Sequence, residues 1–139
     1  MKLNTKVRYG LRAMIEIAKH RENGGVLQKE IANTQEIPIK YLEHIINQLK
    51  TSGLMTNFSS KGSGYILTKK PNEISIYDIY RAFEPELAIV DCTCEHNMCK
   101  KSNECPTRDY WFQLNTKIKN EMMQVKLADL VTTKKEPYN

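Results

Sequence analysis

Four cysteines lie close together in the second half of the chain. Cys92, Cys94, Cys99 and Cys105 fall within 14 residues. Thiolates are soft ligands, so such a group suits an iron–sulfur cluster or a zinc ion. A third interpretation is that the thiols bind no metal and either respond to oxidants or stay reduced. Structural disulfides are rare in the cytosol, where we expect this chain, so the group predicts metal or redox chemistry.

Helical periodicity and turn residues indicate the elements that position this group. Apolar residues follow the helical period over residues 5–20, and a short second helix is predicted over residues 28–33. The apolar residues expected to face the core here are Val26, Leu27, Ile31 and Ala32. Pro38 suits the first position of a third helix, and Gly53 suits its end.

The third helix, predicted over residues 38–51, has two contrasting faces. Its buried stripe consists of Leu42, Ile45, Ile46 and Leu49. The opposite face is continuous and polar, and carries Lys40, Glu43, His44, Asn47 and Thr51. Hydrogen-bonding groups of several kinds therefore share one side of this helix.

A hairpin and further helices follow. Residues 54–58 and 65–68 are rich in β-branched and aromatic side chains and predict two strands, joined by a Gly/Ser segment that contains Lys61. Three helices and a hairpin, in this order, are typical of a winged helix-turn-helix. Ser75 and Asp78 form a capping box for a fourth helix. A long helix from Pro106 has an apolar stripe with a repeat near 3.5, and a short helix over Leu127–Val131 follows.

The charge is unevenly distributed. The net charge is +5 over 139 residues, with 12 basic and 5 acidic residues in 1–70 and 9 basic and 11 acidic residues in 71–139. The first half is therefore +7 and the second −2, which favours a polyanion as partner of the first half.

In a helix-turn-helix, the second helix of the motif lies in the major groove. The candidate DNA contacts are Lys40, Tyr41, Glu43, His44 and Asn47 on this helix, Ser59, Ser60, Lys61 and Gly62 at the hairpin tip, and Lys2 and Arg8 for phosphates.

Several separated motifs resemble the IscR/NsrR-type winged-helix regulators. They are residues 1–14, the segments 39–45 and 62–67, and Leu127-Ala128-Asp129-Leu130-Val131. The resemblance implies a homodimeric bacterial transcription factor that binds a double-stranded DNA operator and dimerises through the long C-terminal helix. It also implies a role in sequence readout for Glu43. The fold expected is mainly α with a small β-wing: a winged helix-turn-helix plus a long dimerisation helix.

The cysteine spacing only partly matches this family. IscR-like sensors have five residues between neighbouring cysteines and a histidine three residues after the last, whereas here only Cys99 and Cys105 have that gap and Arg108 occupies the histidine position. The resemblance implies an iron–sulfur cluster, 2Fe–2S or 4Fe–4S, held by these two residues with one or both of Cys92 and Cys94. His96 is a further local candidate. Zinc or no metal remain the alternatives. Two further positions differ from the family. Glu36 occupies the turn position where the family often has Gly, and Ser59 occupies the wing position that is Arg in IscR-like members.

These observations define segments and exclude other classes. We predict a DNA-binding domain over residues 1–84, a sensor loop over 85–105, a dimerisation helix and short helix over 106–132, and a frayed tail over 133–139. The sequence has no Ser/His/Asp order and no phosphate loop, so we predict no enzyme. It has neither a membrane span nor a secretory signal, so a cytoplasmic regulator is expected. A protein-interaction module is the remaining alternative.

Overall fold

The structure is a computed structural model that describes residues 2–59, 63–91 and 104–132. Its helices are α1 (Thr5–Lys19), α2 (Gln28–Gln35), α3 (Ile39–Thr51), α4 (Ile76–Arg81), α5 (Arg108–Gln124) and α6 (Leu127–Val131). Its strands are β1 (Met55–Asn57) and β2 (Tyr65–Leu67). The prediction of a mainly α fold with a small two-stranded sheet is confirmed. No helix in the described ranges is long and apolar enough to cross a membrane.

The main core forms where α1, α2 and α3 pack together. Asn4 caps α1 through its side chain, which accepts a hydrogen bond of 2.9 Å from the Lys6 amide. The predicted stripe of α3 is completely buried, and this fixes how α3 is rotated about its axis. The helix starts at Ile39 with Pro38 as its N-cap, one residue later than predicted. Gly53 follows its end with a φ of 80°, a left-handed conformation that glycine adopts without strain.

The hairpin is antiparallel, with Met55 opposite Leu67 and Asn57 opposite Tyr65. The loop between α1 and α2 adds a bridge, because Val26 and Tyr65 exchange backbone hydrogen bonds of 3.1 and 2.8 Å. Val26 is buried as predicted. Leu27 is not: successive residues of extended backbone point to opposite sides, so burial of Val26 turns Leu27 outward, and it is 46% exposed.

The C-terminal part of the chain returns to the core. Ser75 and Asp78 form the predicted capping box of α4. The backbone beyond α5 pairs with the segment before α4, since the Leu127 amide donates to the Ile74 carbonyl at 2.8 Å. Leu127 is fully buried in the main core, so α6 completes a core that begins in α1. The segment boundaries proposed above stay a prediction.

The turn between α2 and α3 contains a strained residue. Glu36 has a φ of 53° and a ψ of 47°, the left-handed conformation that costs a residue with a Cβ about 1–2 kcal/mol. We expect Glu36→Gly to raise the free energy of unfolding by about 1 kcal/mol, since part of the gain is offset by the greater freedom of glycine in the unfolded chain.

Urea denaturation at one protein concentration measures this difference. Glu36→Ala is the matched control, because it removes the same carboxylate but keeps the Cβ. An equal gain from both variants would mean that the carboxylate, rather than the backbone conformation, destabilises the turn.

Candidate nucleic-acid interface

The polar face of α3 is exposed along its length. Four buried residues on the opposite side, Leu42, Ile45, Ile46 and Leu49, hold the helix against the core. The side chains predicted to contact DNA lie on the free side, and the exposed ones are Lys40, Glu43, His44 and Asn47. This arrangement presents a carboxylate, an imidazole, an amide and an ammonium group to one partner.

Tyr41 differs from the other candidates on this helix. It is half-buried, and its ring packs edge-to-face against Tyr9 of α1, with 5.6 Å between the centroids. The Arg12 guanidinium lies 5.2 Å from the centre of the Tyr9 ring. The ring of Tyr41 therefore helps to seat α3 on α1.

A polar brace joins α1 to the end of α2. Glu16 is buried, and its carboxylate accepts a hydrogen bond of 2.6 Å from the Gln35 side chain. Arg12 donates to the Gln35 side-chain oxygen at 3.1 Å and also to the Gln35 carbonyl. Three side chains thus fix the turn that leads into α3. This brace is not among the predictions from sequence, although an acid within the otherwise apolar run 13–18 is a usable signal.

A groove separates α3 from the hairpin. Lys50 closes one side, where its ammonium donates to the Asn57 side chain at 2.8 Å and lies 5.5 Å from the centre of the Tyr65 ring. Glu43, Ile46 and Asn47 line the α3 side, and Gln28 lines the α2 side. The hairpin is therefore fixed to the same helix that carries the polar face.

The remaining predicted contacts lie apart from α3. Ser59 is exposed at the end of the described hairpin, and its amide donates to the Ser63 hydroxyl at 3.0 Å. The predicted tip residues Ser60, Lys61 and Gly62 lie outside the described residues. Arg8 is exposed on α1, and Lys2 lies beside Tyr80 and Glu84, near α4.

Of the four cysteines, only Cys105 is among the described residues; Cys92, Cys94 and Cys99 are not. Cys105 is half-buried three residues before α5, and its sulfur lies 3.3 Å from the Thr107 hydroxyl oxygen. Within residues 2–59, 63–91 and 104–132, no three His, Cys, Asp or Glu side chains converge on a common point. The fit of a metal is therefore judged from the chemistry of the donors: cysteine thiolates suit a soft metal.

Buried Asn115 of α5 anchors the chain that leads into the cysteine segment. Its side-chain oxygen accepts from the Ile89 amide at 2.9 Å, and its side-chain nitrogen donates to the Leu87 carbonyl at 3.0 Å. The Leu87 amide in turn donates to the Tyr77 hydroxyl at 3.3 Å. The sequence offered a signal, because Asn115 is a polar residue inside the apolar stripe of α5.

Two pKa values depart from their ordinary values at the packing of α4 and α5. The hydrogen bond with Glu86 raises the pKa of Lys119, whose ammonium also lies 5.5 Å from the Tyr77 ring centre. Burial, with the charge of Glu84, raises the pKa of Tyr80. Lys119 therefore stays charged and Tyr80 neutral through the physiological range.

Comparisons with known proteins agree with this geometry. The family described as "Rrf2: Iron-dependent Transcriptional regulator" matches residues 3–133. The chain belongs to the Rrf2 family. Protein rrf2 of Nitratidesulfovibrio vulgaris is 35% identical to this Rrf2-family chain. The match covers 94% of this chain and 87% of the relative.

Solved structures extend the comparison. CymR, the global cysteine regulator of B. subtilis, is 31% identical to this Rrf2-family chain with a TM-score of 0.80, over 97% of this chain and 99% of CymR. IscR of T. potens is 30% identical with a TM-score of 0.75, over 94% of this chain and 86% of IscR. The predicted winged-helix fold and family resemblance are confirmed. This Rrf2-family chain is a DNA-binding transcriptional regulator, and the prediction that it is not an enzyme is confirmed by the family.

Proposed function

We propose that this chain is a homodimeric operator-binding regulator whose DNA affinity depends on an iron–sulfur cluster held by the cysteine segment. The observation that carries the proposal is the exposed polar face of α3, held by a buried stripe and flanked by the wing. Lys40, Glu43, His44 and Asn47 contact base edges in the major groove, where side chains of these types have partners. Tyr41 contacts the DNA backbone from the edge of this face.

Phosphate contacts position the two heads on the operator. Lys2 and Arg8 bind phosphates, and the wing residues Ser59, Ser60, Lys61 and Gly62 approach the minor groove or the backbone. These contacts hold the domain without reading sequence. Because the first 70 residues carry a net charge of +7, binding must weaken as salt rises.

The apolar surface of α5 supports the dimer. Ile118 and Met122 pack against α4 of the same chain. Other apolar residues of α5 are left exposed, and they are Tyr110, Trp111, Phe112 and Met123. Phe112 and Met123 are eleven residues apart, about three helical turns, so they lie on one flank. A second copy of α5 that covers these side chains removes them from water.

The cysteine group supports the cofactor. Four thiolates are a suitable donor set for an iron–sulfur cluster, which when bound supplies sensitivity to oxidants and nitrosative stress. The family description as iron-dependent favours iron over zinc. Cys99 and Cys105, with one or both of Cys92 and Cys94, would hold the cluster.

Both ends of the cysteine segment connect to α5. Ile89, whose amide is held by Asn115, lies three residues before Cys92, and Cys105 lies three residues before Arg108. A change in the conformation of this segment, such as one caused by binding or loss of a cluster, would therefore act on α5 at its first turn and near its middle. Because α5 joins the two copies, such a change sets the angle between the two DNA-reading heads and the spacing of the half-sites they fit.

Selection from a random library of DNA duplexes tests the DNA-binding part. We expect the wild-type protein to enrich one pseudo-palindromic site and to lose about tenfold or more of its affinity between 50 and 200 mM salt. Glu43→Gln should change which base is preferred at one position per half-site. The affinity ratio between the two bases at that position should change by a factor of about 5 to 150.

Glu22→Gln is the matched control, because it removes the same charge from an exposed glutamate three residues after the end of α1. It should leave the preferred sequence unchanged. Failure to enrich any site, or the same change of sequence with both variants, would contradict the assignment of α3.

Purification without oxygen tests the cofactor part. We expect broad visible absorbance together with iron and sulfide, and a lower iron content in Cys105→Ser. Operator affinity should differ between the protein with and without its cofactor. Colourless protein with zinc, or with no metal, would overturn the iron–sulfur assignment and leave the DNA-binding assignment standing.

A further inference from the structure

An apolar side chain stands on the polar face of α3. Ile39 is the first residue of this helix, and it is 51% exposed. Glu43 lies four residues later on the same face, about 6 Å further along the helix axis. A branched hydrocarbon in this position stays in water unless a partner covers it.

The position of Ile39 is fixed by its backbone. Its carbonyl accepts a hydrogen bond of 3.3 Å from the Gln28 side chain, and Pro38 before it restricts the chain at the N-cap. Leu27 is also exposed and lines the same groove as Ile39, beside Lys29 and Tyr65. Two exposed apolar side chains, Ile39 and Leu27, therefore line one groove, and the backbone of Ile39 is held in place.

The charges around this surface cancel. Residues 28–51 contain Lys29, Lys40 and Lys50, and they also contain Glu30, Glu36 and Glu43. This segment therefore has no net charge, and the excess positive charge of the first half lies elsewhere. A specific contact made by an apolar side chain here would be to a base edge, since phosphates offer an apolar group no partner.

We propose that Ile39 reads the methyl group of a thymine in the major groove. This inference rests on the proposed function and adds a second specificity-determining residue to Glu43. Thymine is the only base whose major-groove edge presents a methyl group, and apolar side chains recognise it. A glutamate accepts a hydrogen bond from the amino group of cytosine, so cytosine is the base we expect Glu43 to bind. Base pairs are stacked about 3.4 Å apart, so the 6 Å between Ile39 and Glu43 places this thymine one or two base pairs from that cytosine.

Replacing thymine with deoxyuridine tests the proposal on the duplex that wild-type protein selects. Deoxyuridine keeps the base pair and removes only the methyl group. When one thymine in a single half-site, one or two base pairs from the cytosine, is replaced, wild-type affinity should fall about fourfold, as expected for one buried methyl group. Ile39→Ser should bind the two duplexes with equal affinity, and Ile39→Val should keep the discrimination.

Leu3→Ser is the matched control, because Leu3 is a similarly exposed apolar residue that lies beside Tyr80 and Leu87 instead of α3. It should keep the fourfold discrimination. Either of two results would overturn the proposal: wild-type protein that is indifferent to deoxyuridine at every position, or Ile39→Ser that keeps the discrimination. In both cases a selected site still stands, whereas the absence of any selected site would overturn the proposed function itself.

Discussion

Replacing Phe112 with glutamate is expected to convert the dimer into a monomer and to lower operator affinity about 100-fold or more. Phe112 is 57% exposed on α5 in the single chain. In a dimer that covers this flank, the variant buries a charge against an apolar surface, which costs several kcal/mol. Each head then binds its half-site alone, and the gain from linking two binding events, about 10²–10⁴, is lost.

Sedimentation velocity and titration of a fluorescent operator measure the two effects. Phe58→Glu is the matched control for the oligomeric state, because Phe58 is 55% exposed at the end of β1 and receives the same substitution. It should remain a dimer. A duplex with a single half-site should bind Phe112→Glu as well as it binds a wild-type head.

Two outcomes would contradict this prediction. A dimeric Phe112→Glu would move the interface away from this flank, and Met123→Glu, three turns along the same flank, checks the result with a second side chain. Loss of both half-site binding and dimerisation would mean that the DNA-binding head itself is damaged. Circular dichroism of the variants separates that case from dissociation.

The second large effect is expected at Asn115. Its side chain is 8% exposed and satisfies the Ile89 amide and the Leu87 carbonyl. Alanine leaves both groups without these partners, at a cost of about 1–3 kcal/mol for the buried Leu87 carbonyl and up to that much for the half-buried Ile89 amide. We expect Asn115→Ala to lower the free energy of unfolding by about 2–5 kcal/mol.

Urea denaturation at fixed protein concentration measures the loss, because the proposed dimerisation would make stability depend on concentration. Asn120→Ala is the matched control, since Asn120 is an exposed asparagine on the same helix. It should be neutral or slightly stabilising, because alanine has the higher helix propensity. Equal stability of the two variants would mean that the hydrogen bonds of Asn115 contribute little.

Local patterns predicted the helices and the hairpin well. The stripe of α3 is buried as its spacing required, and α6 has the predicted bounds. The predicted start of α5, at Pro106, was two residues too early, because proline is tolerated in a first helical turn but does not require one. The prediction that Leu27 faces the core was wrong, because its orientation is set by the bridge between Val26 and Tyr65. This bridge pairs distant parts of the sequence.

The candidate site was predicted in outline only. Exposed polar residues on α3 follow from helical period, which is a local property. The brace of Arg12, Gln35 and Glu16 depends on how α1 meets α2, and the anchoring of Leu87 by Asn115 depends on residues 28 positions apart. Such polar contacts follow from tertiary packing, so no window of neighbouring residues contains them.

The return of α6 to the main core bears on how this protein is made. Leu127 lies among core residues contributed by α1, more than 100 positions earlier in the chain. Contacts of such long sequence separation form late, and during synthesis they form only after α6 has left the ribosome. The cysteine segment, residues 92–105, is therefore translated before the main core can be completed, so no partly made chain completes this core without also containing the four cysteines.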